Sequence, residues 1–520
     1  MYLDLDNHGP RYLQLARALK QAILDGRCAA GTRLPATRVL ASELTLSRNT
    51  VLAAYEQLAA EGFVEGRVGS GSYVAAIAGS SASQPQSQAS RVAATMRRSA
   101  LSRRGRRALD LHDRSIPGRQ HRGVRYNLQY GLPMTNPQLN SAWRRELNFA
   151  AAHAQTDYPD PQGLLALRQQ VCAYLARRRG IVTSPDEVLI VSGTQQAFAL
   201  SADVLLDDGD CIVLENPHYQ GARQLFQSRG ARVRTCPVDT EGMVVDLLPR
   251  RRTVRMVLVT PSHQFPTGAV LSLARRMQLL DWAQRSGCWL IEDDYDGEFR
   301  YQARPLAALK SLDRGDRVIY IGTFSKVLFP SLRLGYVVLP PGLRQAFVAA
   351  KWLNDRGCPA IEQDALARLI QSGAFERHLR QAARALKARR ATLLNELLRH
   401  AGDAVFVADS NAGMHIVAWL TRHNHAQAQA LVERANERGL GLYLVAPYCL
   451  EPLSRPGLLL GYADMPPADL RAAMRILGDC LRALPTLADA ESKQAPRATL
   501  KSPGRAPIFK RAAAASPKLR

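Results

Sequence analysis

A chain of 520 residues is too long for a single domain of typical size, and its 46% hydrophobic content is ample for a large core. No run approaches the ~18–20 apolar residues of a membrane span, and the opening residues MYLDLDNHGPRYLQ lack the basic start and apolar core of a secretory leader, so no membrane partner is expected. The net charge of +24 points to a polyanionic partner.

That charge is uneven. Residues 79–126 carry eleven arginines against Asp110 and Asp113, and residues 485–520 carry eight lysines and arginines against Asp489 and Glu491. Residues 1–78 are almost balanced, so a claim of DNA binding must rest on pattern rather than on charge. The eight cysteines are scattered without CxxC spacing, which fits reduced thiols in the cytoplasm and argues against a disulfide frame or zinc site.

Residues 10–25 place Leu13, Ala16, Leu19 and Ile23 at helical spacing, with Pro10 suited to the first turn and Gly26 to the stop. A second short helix fits 35–44, starting at Pro35. A third fits 48–61, with Ser47 as N-cap, Val51, Ala54, Tyr55 and Leu58 on one face, and Gly62 at the end. FVEGRVGSGSYV (63–74) then reads as two strands around a glycine-rich turn. Three helices and a hairpin within 1–78 make a winged helix-turn-helix.

Residues 79–125 read as a flexible basic linker, polar first and then arginine-rich, and 486–520 as a disordered basic tail. Between them, 126–485 alternates helices with short apolar runs: EVLIVS, CIVLE, VRMVLVT, CWLIED, RVIYIGT and GYVVL. Helices are expected at 194–206 and 271–287. The pattern predicts an α/β domain with a buried, mostly parallel sheet, followed from about 350 by a smaller α+β subdomain with strands near 413–419 and 457–462.

In a helix-turn-helix the first turn of the second helix of the motif faces base edges. Here that turn is Arg48, Asn49 and Thr50, capped by Ser47. Arginine suits guanine, asparagine suits adenine, and threonine suits a base or phosphate. Arg33 and Arg38 are placed at the preceding helix, where they can hold phosphates of double-stranded DNA. Gly69, Ser70 and Gly71 let the wing approach the minor groove. The stretches GTRLPATRVLASEL, LSRNTVLAAYEQLAAEGFVE and GSGSYV resemble the GntR family of regulators. That resemblance implies DNA contacts from Arg38, Arg48 and the wing at 66–71.

GTFSKVLFPSLRLGY (322–336) carries the strongest chemical signal. Lys326 follows a strand in a Ser/Thr-rich turn and offers an amine, and Arg333 offers a planar fork for a phosphate dianion. Thr323 and Ser325 add hydroxyls. In IVSGTQQAFAL (190–200), Gly193 and Thr194 lie at a helix start, a natural phosphate site. IEDDYDGEFRY (291–301) ends another strand, with Asp293 suited to a pyridine nitrogen and Tyr295 to a ring hydroxylate. Tyr219, in ENPHY, is placed to stack on a ring. A metal at the acid cluster is the competing reading, disfavoured because no histidine lies near it in sequence.

These motifs, in this order, resemble the fold-type I aminotransferases, and most of all the MocR/GabR subfamily of GntR regulators, which joins that fold to a winged helix. The resemblance implies pyridoxal 5′-phosphate (PLP) on Lys326 as the catalytic amine, Asp293 at the ring nitrogen, Tyr295 at the hydroxylate and Arg333 at the phosphate. It also implies a head-to-tail homodimer.

Two departures from the aminotransferase pattern stand out. Phe265 replaces the asparagine expected before Pro-Thr-Gly, which leaves His263, Gln264 or nothing to compensate. Leu459 stands near the arginine expected for a substrate α-carboxylate, and Gly221 stands where the GABA-responsive relative has an arginine; Arg455 is a possible replacement anchor. The expectation is a transcription regulator whose small-molecule effector is PLP or a PLP-linked amine. The alternatives are a working aminotransferase that carries a DNA-binding domain, and a DNA-binding scaffold whose large domain only dimerises.

Overall fold

The computed structural model describes residues 3–67, 70–76, 101–112, 121, 123–134, 136–249, 253–301, 306–408 and 411–485. Gly69, most of the expected linker and the whole tail from 486 lie outside these. The chain divides into two compact units, Met1–Leu101 and Ser102–Arg520.

The first unit holds α1 (Arg11–Leu24), α2 (Thr37–Glu43), α3 (Arg48–Ala60) and a hairpin of β1 (Val64–Arg67) and β2 (Gly71–Val74). Val51, Ala54, Tyr55 and Leu58 of α3 are buried, as their helical spacing predicts, against Leu15, Leu19 and Ile23 of α1 and Leu40 of α2. Leu13 is only half-buried; Leu15 and Ala22 fill the core beside it. The Tyr55 hydroxyl donates to the Pro35 carbonyl at 2.8 Å, tying α3 to the entry of α2. Pro35 itself precedes that helix, whose N-cap is Ala36.

Part of the expected flexible linker is a helix, α4 (Arg103–Leu111), capped by Ser102 and packed on the helix Gln220–Ser228 of the large domain. Arg107 lies 2.8 Å from Asp208, and Arg104 3.8 Å from Asp203. Arginine-rich composition reads as solvated chain until the fold supplies acidic partners 101 residues away in sequence.

After β3 (Tyr126–Asn127), the large domain builds its main sheet from β4 (Val188–Val191), β5 (Cys211–Asn216), β6 (Arg232–Asp239), β7 (Gly242–Met243), β8 (Val254–Val259), β9 (Trp289–Asp294), β10 (Val318–Thr323) and β11 (Gly335–Val338). Their order across the sheet is β4-β11-β10-β9-β8-β5-β6-β7. β10, β9, β8, β5 and β6 run parallel, while β11 is antiparallel to both neighbours. All six apolar runs read from the sequence are strands of this sheet. β6 escapes that reading because its residues alternate between exposed and partly buried, with Arg232 and Arg234 among them.

Both faces are covered, which explains the near-continuous apolar runs. Ile212, Leu214, Met256 and Ile291 pack to one side, and Val213, Val257 and Leu290 to the other. The helices Thr194–Leu205 and Leu273–Ser286 fall where expected. The small subdomain carries the antiparallel sheet β12 (Val405–Val407), β13 (His415–Leu420), β16 (Gly457–Gly461) and β15 (Tyr443–Leu444) in that order, with β14 (Leu440–Gly441) paired to β3. Among the described residues no helix is long and apolar enough to cross a membrane.

Candidate functional site

Ser47 caps α3: its hydroxyl accepts from the Thr50 amide at 3.1 Å. In the first turn of α3 Arg48 and Asn49 are exposed, while Thr50 is half-buried with its hydroxyl 2.8 Å from that of Ser47. Arg38 is exposed on α2. Arg33 is not on α2; it lies in extended chain bridged to Tyr73 of the wing, with its guanidinium over Gly71. The sequence reading missed this because Pro35 looks like a helix start, whereas residues 32–34 here run along β2.

In the large domain the C-terminal ends of β9 and β10 and the turn after β4 open into one cavity of about 160 Å³, far more than a single water needs. This is the customary ligand crevice of open α/β sheets. Thr194, Tyr219, Asp293, Tyr295, Thr323, Ser325, Lys326 and Arg333 all line it. Gly193 adjoins it: φ is +81°, and a Cβ there would lie 3.0 Å from Arg333 Nη1. Residues spread over about 140 positions of sequence thus meet because each lies at or next to a strand end on one edge of the sheet.

Lys326 donates to the Gly131 carbonyl at 2.9 Å. Burial lowers its pKa from the usual lysine value; Asp296 and Asp293 oppose this and Arg333 adds to it. Asp293 is buried and pushed up to about 8, chiefly by desolvation and then by Asp294. Its Oδ1 has no hydrogen-bond partner in the protein. Arg333 occupies a left-handed conformation, φ +53°, rare for a side-chain-bearing residue, which turns its guanidinium so that Nη2 donates to Ser192 O at 2.7 Å. Asp294, next to Asp293, is held by Arg179 at 2.5 Å and accepts from Tyr320 at 2.5 Å, all buried.

Phe265 and Gln195 also line the cavity, as do Tyr130, Gly131, Met414 and His415, which carry no local sequence signal. Phe265 is an aromatic hub, with ring centroids of Tyr448 at 5.3 Å, Tyr130 and His415 at 5.7 Å, Tyr295 at 6.0 Å and Tyr219 at 6.1 Å. Gln264 does not compensate for the missing asparagine: its amide turns inward to Pro217 O at 2.8 Å and Glu215 at 3.2 Å. Leu459 packs into the cluster around Phe265. Arg455 lines a different cavity, beside His425 and Leu450. A Cβ on Gly221 would lie 2.6 Å from the Tyr219 ring, so the Tyr219 placement depends on that glycine. Distance in sequence also misled over histidine: the fold brings His263 and His415 to Asp296, with one ligand atom from each within 4.8 Å of the others.

Residues 128–477 match the aminotransferase class I and II family, and residues 11–74 match the gntR family of bacterial regulatory proteins. The chain is 35% identical to the probable rhizopine catabolism regulatory protein MocR of Rhizobium meliloti, over 93% of this chain and 96% of that protein. It is 29% identical to the pyridoxine biosynthesis transcriptional regulator PdxR of Corynebacterium glutamicum, over 92% and 98% of the two chains. A 2-aminoadipate transaminase of Thermus thermophilus is 32% identical over 63% of this chain and 82% of the enzyme. Among solved structures, Pyrococcus horikoshii kynurenine aminotransferase superposes with a TM-score of 0.67 at 27% identity, covering 76% of this chain and 99% of that one.

Proposed function

Because the chain belongs to the family of MocR-type helix-turn-helix transcription regulators, in which a GntR DNA-binding domain is fused to an aminotransferase-like domain, we propose that its large domain binds PLP at Lys326 and senses PLP itself or a PLP-linked amine. The observation that carries this reading is the convergence in one cavity of a desolvated amine, an unpartnered carboxylate oxygen and a guanidinium, on Lys326, Asp293 and Arg333.

These residues fit the cofactor. PLP, when bound, supplies an electron sink whose strength depends on a proton at its ring nitrogen. Asp293 Oδ1 is free to receive that proton's hydrogen bond. Arg333, the Thr194 hydroxyl and the amides at the start of Thr194–Leu205 suit a phosphate dianion. Tyr219, which lines the cavity and is 42% exposed, would stack on the ring. Lys326, its charge disfavoured by burial, serves as the nucleophilic amine.

Sensing is favoured over turnover by one position. Leu459, buried in the cluster around Phe265, stands near where the arginine for an amino-acid carboxylate is expected. A relative named for regulating pyridoxine biosynthesis supports a B6-type effector. We further infer that the regulator works as a head-to-tail homodimer, which sedimentation at graded concentrations tests.

Coupling supplies the functional test. An effector that alters operator binding must itself bind with an affinity that operator DNA alters by the same factor, typically ~5–150-fold. PLP is titrated into the full chain with and without operator. Equal affinities in the two titrations reject the switch.

A further inference from the structure

Behind the cavity wall, three side chains form a short buried chain. The Tyr295 hydroxyl lies 3.0 Å from His263 Nδ1, and the same nitrogen lies 2.9 Å from Asp296 Oδ2. The His263 and Asp296 side chains are each 1% exposed. His415 stacks on Tyr295, with ring centroids 6.5 Å apart and an interplanar angle of 14°. Its Nε2 faces the Pro266 carbonyl at 3.1 Å and donates to it.

A buried carboxylate needs a donor, and His263 Nδ1 is the donor offered to Asp296. A ring nitrogen holds one proton, so Nδ1 cannot also accept the phenol's. The Tyr295 oxygen then shares the Nδ1–H, and its own proton is left to point into the cavity. Burial, with the carboxylates of Asp296, Asp293, Glu215 and Asp294 around it, holds the phenol well above its usual range, so it stays a donor. The backbone has made room for this arrangement. Gly413 adopts φ +81°, and a Cβ there would sit 2.0 Å from His263 Cε1. The Gly413 carbonyl is pinned by hydrogen bonds from Tyr462, at 2.6 Å, and Tyr301, and its amide donates to Phe299 O at 2.8 Å.

We propose that Asp296 and His263 are positioning residues that aim the Tyr295 phenol proton at the ring oxygen of the cofactor. The inference rests on the PLP reading above. It also answers the departure at Phe265, whose side chain offers no hydrogen bond: the histidine two residues earlier works through Tyr295 rather than touching the cofactor.

The test follows the yellow absorbance of the lysine-linked cofactor in the full chain through pH. A hydrogen bond to the ring oxygen draws electron density from it and so lowers the pH at which that absorbance is lost. Tyr295→Phe should raise the midpoint by about 1–2 pH units, the worth of a hydrogen bond to a charged group. His263→Leu should reproduce most of that rise. His263→Asn, whose amide nitrogen can occupy the Nδ1 place, should keep the wild-type midpoint. The double variant His263→Leu/Tyr295→Phe should shift no further than Tyr295→Phe alone, the signature of one shared interaction. An unmoved midpoint in His263→Leu, or additive shifts in the double variant, overturns the proposal.

A measurement on the unmodified protein stands independently of how the variants fold. The ¹⁵N shift of His263 Nδ1 should be that of a protonated nitrogen, and a bare Nδ1 overturns the proposal. So does one equivalent of a transition metal in the purified protein, since His263, Asp296 and His415 would then be its ligands. If the wild-type protein takes up no lysine-linked chromophore, the cofactor reading falls and this one with it. A chromophore with an unmoved midpoint overturns the positioning role alone.

Discussion

The Gly131 carbonyl receives the Lys326 amine at 2.9 Å across 195 positions of sequence. Gly131 has φ +77°, and a Cβ on it would lie 2.9 Å from Nζ. The lysine is therefore held over the cavity by a contact that only a glycine permits. Its substitution tests the cofactor reading directly. Lys326→Ala should remove the covalent chromophore and leave the folded state intact, because the Lys326 side chain lines a cavity. Borohydride reduction followed by peptide mass analysis checks this. A PLP adduct that survives on another lysine would refute the assignment.

Asp293 gives a pH prediction with a definite sign. Its folded value of about 8 lies above the ~3.9 of an unfolded aspartate. The folded, cofactor-free protein therefore binds more protons in that window, and this group's contribution to stability falls as pH rises through it. Asp293→Asn removes the dependence. The variant should gain stability relative to wild type between about pH 5 and about pH 8, measured by urea unfolding of cofactor-free protein. A difference that does not vary with pH would mean that Asp293 is ionised throughout.

On the DNA side, Arg48→Ala should lower specific binding by ~1–3 kcal/mol, the worth of one bidentate base contact. Arg48 is the first residue of α3 and exposed. Arg38→Ala should weaken binding to all sequences alike and reduce the salt slope. Ser47→Ala loses the cap and should cost ~0.5–2 kcal/mol of stability in this domain. Competition titrations with specific and random duplexes separate these effects. An unchanged specificity ratio in Arg48→Ala would place base reading elsewhere.

Helix α4 refines what the arginine-rich segment can do. Arg104 and Arg107 face Asp203 and Asp208, in exposed pairs worth only ~0–1 kcal/mol each. Replacing Arg97, Arg98, Arg103, Arg104, Arg106 and Arg107 with glutamine should flatten the log–log salt slope of DNA binding. The loss should be less than the ~0.9 per arginine expected if all six met phosphates. The preferred operator should not change. A changed operator would show that the segment reads bases. Arg104→Gln/Arg107→Gln alone should speed proteolysis near residues 101–112 while the melting of the large domain stays put.

The sequence by itself determined the helices and hairpin of the first unit and six strands of the large sheet, but not β6 or the helix α4. Apolar runs of four to six residues had to be strands buried on both faces, and Ser47 had to cap a helix, because periodicity and capping are local effects. The motif residues were legible for a related reason. Asp293, Thr323 and Lys326 each end or directly follow a strand, so a parallel sheet delivers them to one edge. The tertiary structure alone decided which distant groups complete the site. Nothing near Tyr130 or His415 in sequence marks them as cavity residues; they reach it because the small subdomain folds against the strand ends. Nor does spacing link His263 to Asp296, 33 positions apart, or bring an arginine helix to Asp208. Such contacts follow from sheet order and loop path, and these depend on the packing of the whole domain, to which no local pattern answers.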